Sequence, residues 1–335
     1  MTSHSEWGQE TGAPEIAQTF SEQIRGRTIL ITGVSPGGLG YATALSIASQ
    51  SPSLLILASR SPEKLEEVRT DILKTHPSTT VDLVILDLSS QESIRRAAAE
   101  VTQLTKILDV LINNAAVVYQ TRHLTAEGIE AQFGTNHIGH FLFTCLLLPK
   151  LLASAQTSVP GSTRIINLTS AGHRLSPVRF HDYNFEGKPI PEEEEHYKPI
   201  PDSVLQKRDG YPTFIAYGQC KSANILFTVG LTKRLKDQGI VAYSPHPGSI
   251  ATGLNRDFDE EAQGIVKWSA KSWKTLDQGA ATTLVAAFDP ALNTPEGIYL
   301  SDCQYAEPVS HASDPVLADR LWALSEELTG QKLKS

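Results

Sequence analysis

Residues 27–50 read RTILITGVSPGGLGYATALSIASQ. The run RTILITG (27–33) is apolar and β-branched, which suits a strand buried on both faces, and it ends in glycine. GYATALSIASQ (40–50) follows as a helix of small residues. Glycines between a strand and the mouth of a helix carry a meaning that the same residues elsewhere would lack. Gly33 permits the tight turn out of the strand, Gly38 lets backbone approach a pyrophosphate, and Gly40 lets the helix pack close. The helix N-terminus then offers unpaired N–H groups and a positive dipole end to phosphate. Four residues lie between Gly33 and Gly38, or three if Gly37 takes the second role, so two glycines compete for the phosphate-facing place. Ser35 and Leu39 complete the loop.

The same alternation continues outward. SLLILAS (53–59), VDLVILDL (81–88), LDVLINNAA (108–116), RIINLTS (164–170) and IVAYSPHPG (240–248) read as further strands. PEKLEEVRTDILKTH (62–76) and SQESIRRAAAEVTQL (90–104) read as helices, the first opened by proline and the second by a serine cap. Continuous apolar strands alternating with helices imply parallel crossovers of right-handed sense. The fold class is therefore α/β, a single-domain Rossmann-like doubly wound parallel sheet with helices on both faces. Residues 26–305 form the catalytic domain, 1–25 are expected to be a polar, loosely ordered arm, and 306–335 are a C-terminal extension. One segment breaks the rhythm: the proline-rich, polar residues 176–212, an insertion that suits a lid or binding loop. Its Glu192–Glu195 run reads as a solvated face.

Composition narrows the class of function. A formal net charge of -8 opposes encounter with nucleic acid or an anionic membrane. Cys145, Cys220 and Cys303 form no C-x-x-C pair, and their odd number excludes complete internal pairing, which favours a reducing compartment. The most apolar run, FLFTCLLLPKLLA, is interrupted by Pro149 and Lys150 and falls short of the roughly 20 residues that span a bilayer. No secretory signal is read at the N-terminus. The expectation is a cytoplasmic protein with no membrane span. None of the histidines sits at a metal-ligand spacing, so no metal is expected.

The second strand ends in ASRSPEK. Dinucleotide-binding folds that take NAD usually carry an acidic residue here for the ribose 2′-hydroxyl. Ser59 and Arg60 stand in its place, and an arginine fork suits a 2′-phosphate, so NADP(H) is favoured over NAD(H). TFIAYGQCKSAN (213–224) puts Tyr217 and Lys221 one helical turn apart. A tyrosine of pKa near 10 is ionised in only about one molecule in a thousand at pH 7, and a nearby ammonium favours the phenolate.

Together these motifs resemble the short-chain dehydrogenase/reductase family over roughly residues 26–305, and within it the retinol-dehydrogenase-like branch, which includes fungal biosynthetic reductases. The matching pieces are TGVSPGGLG, LDL with Asp87 and Leu88, NNAA with Asn114 and Ala115, TNHIGHFLFT with Asn136, INLTSAG with Ser170, YGQCK, and HPGSIAT. Ala116 stands where the fourth-strand motif commonly has glycine. The resemblance implies that Tyr217 is the general acid/base, that Ser170 binds the substrate oxygen, that Lys221 holds the nicotinamide ribose, and that Asn136 positions a relay water. Pro247, Gly248, Ile250 and Thr252 would close the cofactor site.

Between Ser170 and Tyr217 lie 46 residues, several times the spacing in compact members of the family. His173, Tyr183, Phe185 and Tyr197 from this region, and Phe258, Trp268 and Trp273 from residues 253–275, are the candidates for contact with a medium-to-large, partly apolar organic substrate. The expected activity is NADPH-dependent carbonyl reduction or alcohol oxidation, of the kind found in secondary-metabolite biosynthesis. The rivals are an isomerase, dehydratase or cyclisation catalyst on the same fold and cofactor, and a non-catalytic NADP-sensing protein. A homodimer or homotetramer is expected from the long helices at 125–153 and 214–236.

Overall fold

In the computed structural model the strands run as β1 (Thr28–Thr32), β2 (Leu54–Ser59), β3 (Val81–Ile85), β4 (Val110–Asn113), β5 (Thr163–Asn167), β6 (Ile240–His246), β7 (Ser249–Ile250), β8 (Trp273–Lys274), β9 (Tyr299–Ser301) and β10 (Gln304–Tyr305). The structure describes residues 1–198, 200–201, 204–205, 208–270 and 272–333. Eight strands form one sheet in the order β10-β9-β6-β5-β4-β1-β2-β3, parallel except for β10, while β7 and β8 pair apart from it. The helices are α1 (Ala13–Thr19), α2 (Ser21–Ile24), α3 (Leu39–Ala48), α4 (Pro62–Thr75), α5 (Gln91–Leu104), α6 (Ala131–Phe133), α7 (Gly139–Ala155), α8 (Thr213–Leu235), α9 (Glu260–Ser269), α10 (Leu276–Phe288), α11 (Ser310–Ser313) and α12 (Pro315–Thr329).

All five residues of β1 are buried, because its alternate side chains enter two different cores. Ile29 and Ile31 join the cluster of α1, α3 and α10, whereas Leu30 joins the cluster of α5, α7 and α8. A parallel sheet covered on both faces requires this continuous apolarity. The strand order reverses beside β1, and the crevice outside the carboxyl ends of the strands at such a point is where open α/β sheets bind ligands.

Four expectations from the sequence are corrected. Residues 1–25 are no loose arm: Trp7, Ala13, Ile16, Ala17, Phe20 and Ile24 are buried, and Ser3 donates its backbone N–H to Asp289 at 2.8 Å. Burying each of the large side chains contributes about 1.5–3 kcal/mol, enough to hold helices of seven and four residues that are too short to persist alone. The C-terminal residues also belong to the body, because Trp322 of α12 packs edge-on to Phe141 with ring centroids 5.0 Å apart. The apolar run around Pro149 is not interrupted: α7 continues through that proline. Taken whole, Ala131–Ala155 is long and apolar enough to cross a membrane, yet two thirds (67%) of its 18-residue apolar window is buried inside the protein.

The fourth correction concerns the insertion, whose residues 199, 202, 203, 206 and 207 lie outside the described ones. Glu194, read as solvated, is 3% exposed; it accepts from the His181 backbone N–H at 3.0 Å and pairs with Arg320 of α12 at 3.1 Å. Asp182 is 2% exposed and accepts from the N–H groups of Glu186 and Gly187. The first part of the insertion is thus tied to the C-terminal helix through Glu194, while Asp182 holds its own turn.

Candidate active site

Gly33 opens the crevice. Its φ of +73° is the left-handed region, and a Cβ there would lie 2.5 Å from the Ala115 Cα. Gly38 is the extended residue preceding α3, and its N–H donates to the Ser35 carbonyl at 3.0 Å. Gly37 holds φ +66° with open space beside it, while a Cβ at Gly40 would meet the Gly33 carbonyl at 3.0 Å. Gly37 therefore turns the chain, Gly38 launches the helix, and Gly40 lets the helix touch the strand end. Asn114 ties the cradle from the β4 side, donating Nδ2–H to the Thr32 carbonyl at 2.8 Å. This bare backbone at the N-terminus of a ten-residue helix suits a pyrophosphate.

Arg60 is exposed just beyond β2, and no ion pair or hydrogen bond engages it among the described residues. Asp87 accepts from the Ser89 backbone N–H at 2.9 Å and from its hydroxyl at 2.6 Å, so the carboxylate is oriented before any ligand arrives. Leu88 is buried against Gly139, where a Cβ would lie 2.5 Å from the Leu88 carbonyl.

Ser170, Tyr217 and Lys221 come together where β5 ends beside α8. The Ser170 hydroxyl accepts from the Gly172 N–H at 3.1 Å, and its influence on the Tyr217 hydroxyl favours the phenolate. Two glycines make this approach: a Cβ on Gly172 would lie 3.2 Å from the Tyr217 ring, and one on Gly218 would lie 2.8 Å from the Gly172 carbonyl. Lys221 lies over the tyrosine ring, its Nζ 5.4 Å from the centroid, and donates to the Leu168 carbonyl at 3.2 Å.

The electrostatics differ from the sequence expectation. Burial raises the Tyr217 hydroxyl above its ordinary value, and only Ser170 lowers it. Burial also drops Lys221 to about 8. With the ammonium over the ring face, desolvation outweighs attraction and the phenol keeps its proton. Part of the Tyr217 surface remains open to solvent, which moderates the rise.

Asn136 lies in a π-helical turn, Gly134–Ile138, where the Gly139 N–H reaches back to the Gly134 carbonyl. Its side-chain amide is fully engaged with Val117, accepting from the backbone N–H at 2.8 Å and donating to the carbonyl at 2.9 Å. The main-chain carbonyl of Asn136 accepts from His140 Nδ1 at 3.1 Å.

Beyond β6, Gly248 holds φ +89°, and the aliphatic stem of Lys274 fills the place of its absent side chain at 2.8 Å. Lys274 pairs with Asp302 at 2.5 Å, which locks β8 beside the Pro247–Gly248 turn. Ile250 contacts Gly279 of α10, and Thr252 caps the following turn by accepting from the Leu254 N–H at 3.3 Å.

The substrate candidates divide. His173 is not a wall residue: it is fully buried, tilted against Tyr299 with centroids 5.3 Å apart, and its Nδ1 donates to the Ser170 carbonyl at 2.7 Å. Tyr183 packs inward against Phe133 at 5.8 Å. Phe185 lies under Arg179 at 4.7 Å, and Phe258 is buried edge-on to Phe214 at 6.0 Å. Trp268 and Trp273 are 69% and 47% exposed, so residues 253–275 do present aromatic surface, as does Tyr197 of the insertion at 61%, whereas His173 does not and Tyr183 is partly buried. The sequence reading missed Thr32, His140, Gly172, Gly218 and Lys274. Of these, only the glycine preceding the helix-borne Cys220–Lys221 pair carried a readable signal, a small residue beside a motif.

Comparison with known proteins agrees with this geometry. The family described as short chain dehydrogenase matches residues 27–184. Short-chain dehydrogenase TIC 32 A, chloroplastic, of Brassica napus is 35% identical, covering 97% of this chain and 94% of its own. Retinol dehydrogenase 11 of Mus musculus is also 35% identical, over 93% of this chain and 89% of its own. The short-chain dehydrogenase/reductase prx1 of Penicillium rubens is 34% identical, over 91% and 85%. Among solved structures, an uncharacterized protein from Mycobacterium Paratuberculosis superposes with a TM-score of 0.66 at 29% identity, covering 93% of this chain and 96% of that one. The NADPH-bound carbonyl reductase from chicken fatty liver shares the fold at TM-score 0.59 and 22% identity, over 85% and 100%. The chain belongs to the short-chain dehydrogenase/reductase family, a class of oxidoreductases. Its relatives include both retinol dehydrogenases and fungal short-chain oxidoreductases.

Proposed function

We propose that the protein is an NADPH-dependent carbonyl reductase acting on a medium-to-large, partly apolar organic substrate. The observation that carries this reading is the convergence of Ser170, Tyr217 and Lys221 at the end of β5, with only β4 between it and the glycine cradle at β1. When bound, the nicotinamide dinucleotide supplies the hydride. Gly33, Gly38 and Gly40 are the residues to hold its pyrophosphate, Asp87 and Leu88 its adenine end, and Arg60 its 2′-phosphate. Lys221 would hold its nicotinamide ribose. Support for the dinucleotide comes from the chain itself, since Gly37 turns at φ +66° with open space beside it just before the N-terminus of a ten-residue helix.

Tyr217 delivers the proton to the substrate oxygen, and the raised hydroxyl keeps that proton in place at neutral pH until the oxygen gains charge. Ser170 donates a hydrogen bond to the same oxygen and holds the carbonyl toward Tyr217. Lys221, charged below about pH 8, stabilises the tyrosinate left behind. Trp268 and Trp273 offer apolar surface for the body of the substrate.

The cofactor preference has a direct test in binding and turnover with NADPH and NADH side by side. Wild-type protein should favour NADPH, and Arg60→Ala should lower that preference by about tenfold or more, the worth of one charge-assisted phosphate contact. Equal use of both cofactors by the wild type, or an unchanged ratio in Arg60→Ala, would remove Arg60 from the site.

A further inference from the structure

We propose that His140 is a positioning residue that couples the nucleotide-binding loop to the turn bearing Asn136. The ring is 3% exposed and has two polar partners from opposite directions. Its Nδ1 lies 3.1 Å from the Asn136 main-chain carbonyl, and its Nε2 lies 2.9 Å from the Thr32 hydroxyl at the end of β1.

Donor and acceptor chemistry fixes the proton. A carbonyl oxygen can only accept, so Nδ1 carries the hydrogen. The Thr32 oxygen already accepts from the N–H groups of Asn114 at 3.0 Å and Ala115 at 3.1 Å, which uses both lone pairs. It must therefore act as donor toward His140, and Nε2 is the bare nitrogen. The alternative acceptor for the hydroxyl, the Ile112 carbonyl, is more distant at 3.5 Å. Burial, with Lys221 nearby, lowers the ring to about 4 and keeps it neutral in agreement with this pattern.

The result is one directed chain. The Asn114 and Ala115 amides donate to the Thr32 hydroxyl, the hydroxyl donates to His140, and His140 donates to the Asn136 carbonyl. Asn114 and Ala115 pack against Gly33 and Gly40 in the cradle, while Asn136 clamps Val117 from the π-helical turn. Displacing the cradle by a few tenths of an ångström moves the Asn136 carbonyl with it, because every link is a single saturated hydrogen bond. The neighbouring His137 serves a different purpose. It donates Nε2–H to Ser325, whose own hydroxyl is committed to the Leu321 carbonyl, and so fastens α12 to the same turn.

The inference rests on the reading that the dinucleotide binds at the glycine loop; a wild type that binds no NADPH would sink that reading, whereas the tautomer can be measured without nucleotide. In 15N spectra of the histidine-labelled wild type, His140 should show a protonated Nδ1 and an unprotonated Nε2; the reverse assignment overturns the proposal. His140→Phe and Thr32→Val should each weaken NADPH binding by roughly tenfold, the scale of a small misplacement of a positioned group, and the double variant should be no worse than either. Thr32→Ser, which keeps the hydroxyl, should restore binding to within about twofold. Ser325→Ala should lower the Tm and leave the NADPH affinity alone. Additive losses, or variants that lose only thermal stability, would show a merely structural histidine and overturn the coupling. If either variant fails to fold, the tautomer in the wild type decides.

Discussion

The glycine cradle and the two segments at 176–212 and 253–275 are held by different means. Backbone sets the cradle: Gly33 meets Ala115, Gly40 meets the Gly33 carbonyl, and Asn114 and Thr32 satisfy one another's neighbours. The two segments are held by side chains, through Arg179–Asp182, Arg320–Glu194 and the Arg208–Asp259 pair, and they leave Tyr197, Trp268 and Trp273 largely exposed. A region built on close backbone approach admits almost no change. A region tied by ion pairs at its edges tolerates exchange of nearly everything between the ties. One fold can therefore keep its chemistry fixed and vary what it acts on.

Lys221→Met breaks that contrast most sharply. Turnover should fall by about a hundredfold or more, because the charge behind Tyr217 is gone. Stability at pH 7 should not fall, since an ammonium 3% exposed and paired only with a carbonyl is replaced by an apolar side chain of similar length. The pH dependence follows from the same burial. Between about 8 in the folded state and the ordinary 10.5, the unfolded chain binds the extra proton, so wild-type stability gains from Lys221 as pH rises through that window. Thermal melts across the window should show the gain in wild type and its absence in Lys221→Met; a melt that drops at pH 7 would contradict the assignment.

Gly33→Val tests the backbone side alone. A β-branched residue at φ +73°, with its Cβ 2.5 Å from the Ala115 Cα, should destabilise the protein by about 2–4 kcal/mol and abolish NADPH binding in titration. Normal affinity in a folded Gly33→Val protein would mean that the cradle lies elsewhere.

Trp268→Ala sharpens the other side with the smallest expected effect. At 69% exposure the tryptophan should contribute less than about 0.5 kcal/mol to stability. Its loss should raise KM for bulky ketones by roughly threefold to tenfold and leave NADPH affinity unchanged. Unaltered steady-state constants for large and small ketones would remove this residue from the substrate surface.

What could be read from residues follows the same division. The strands of the sheet and its parallel sense were legible because burial on two faces leaves a periodic mark, and helical spacing put Lys221 beside Tyr217; Ser170 was joined to them only through the family resemblance. The docking of residues 1–25 was missed although Ile16, Phe20 and Ile24 recur at helical spacing, because the polar residues around them dominate the composition of the segment. His173 was misread because adjacency to Ser170 says nothing about which way a ring turns. The pairing of Glu194 with Arg320 joins residues far apart in the chain, and a run of four glutamates hides which one is buried. Nor could spacing reveal that Lys221 would lie over the ring of Tyr217 instead of beside its oxygen.

The reductase reading stands on one side chain's proton. Tyr217→Phe, given NADPH and a ketone that the wild type reduces, should bind the nucleotide with wild-type affinity while NADPH oxidation slows by about a thousandfold. Oxidation at an undiminished rate in that variant would contradict it.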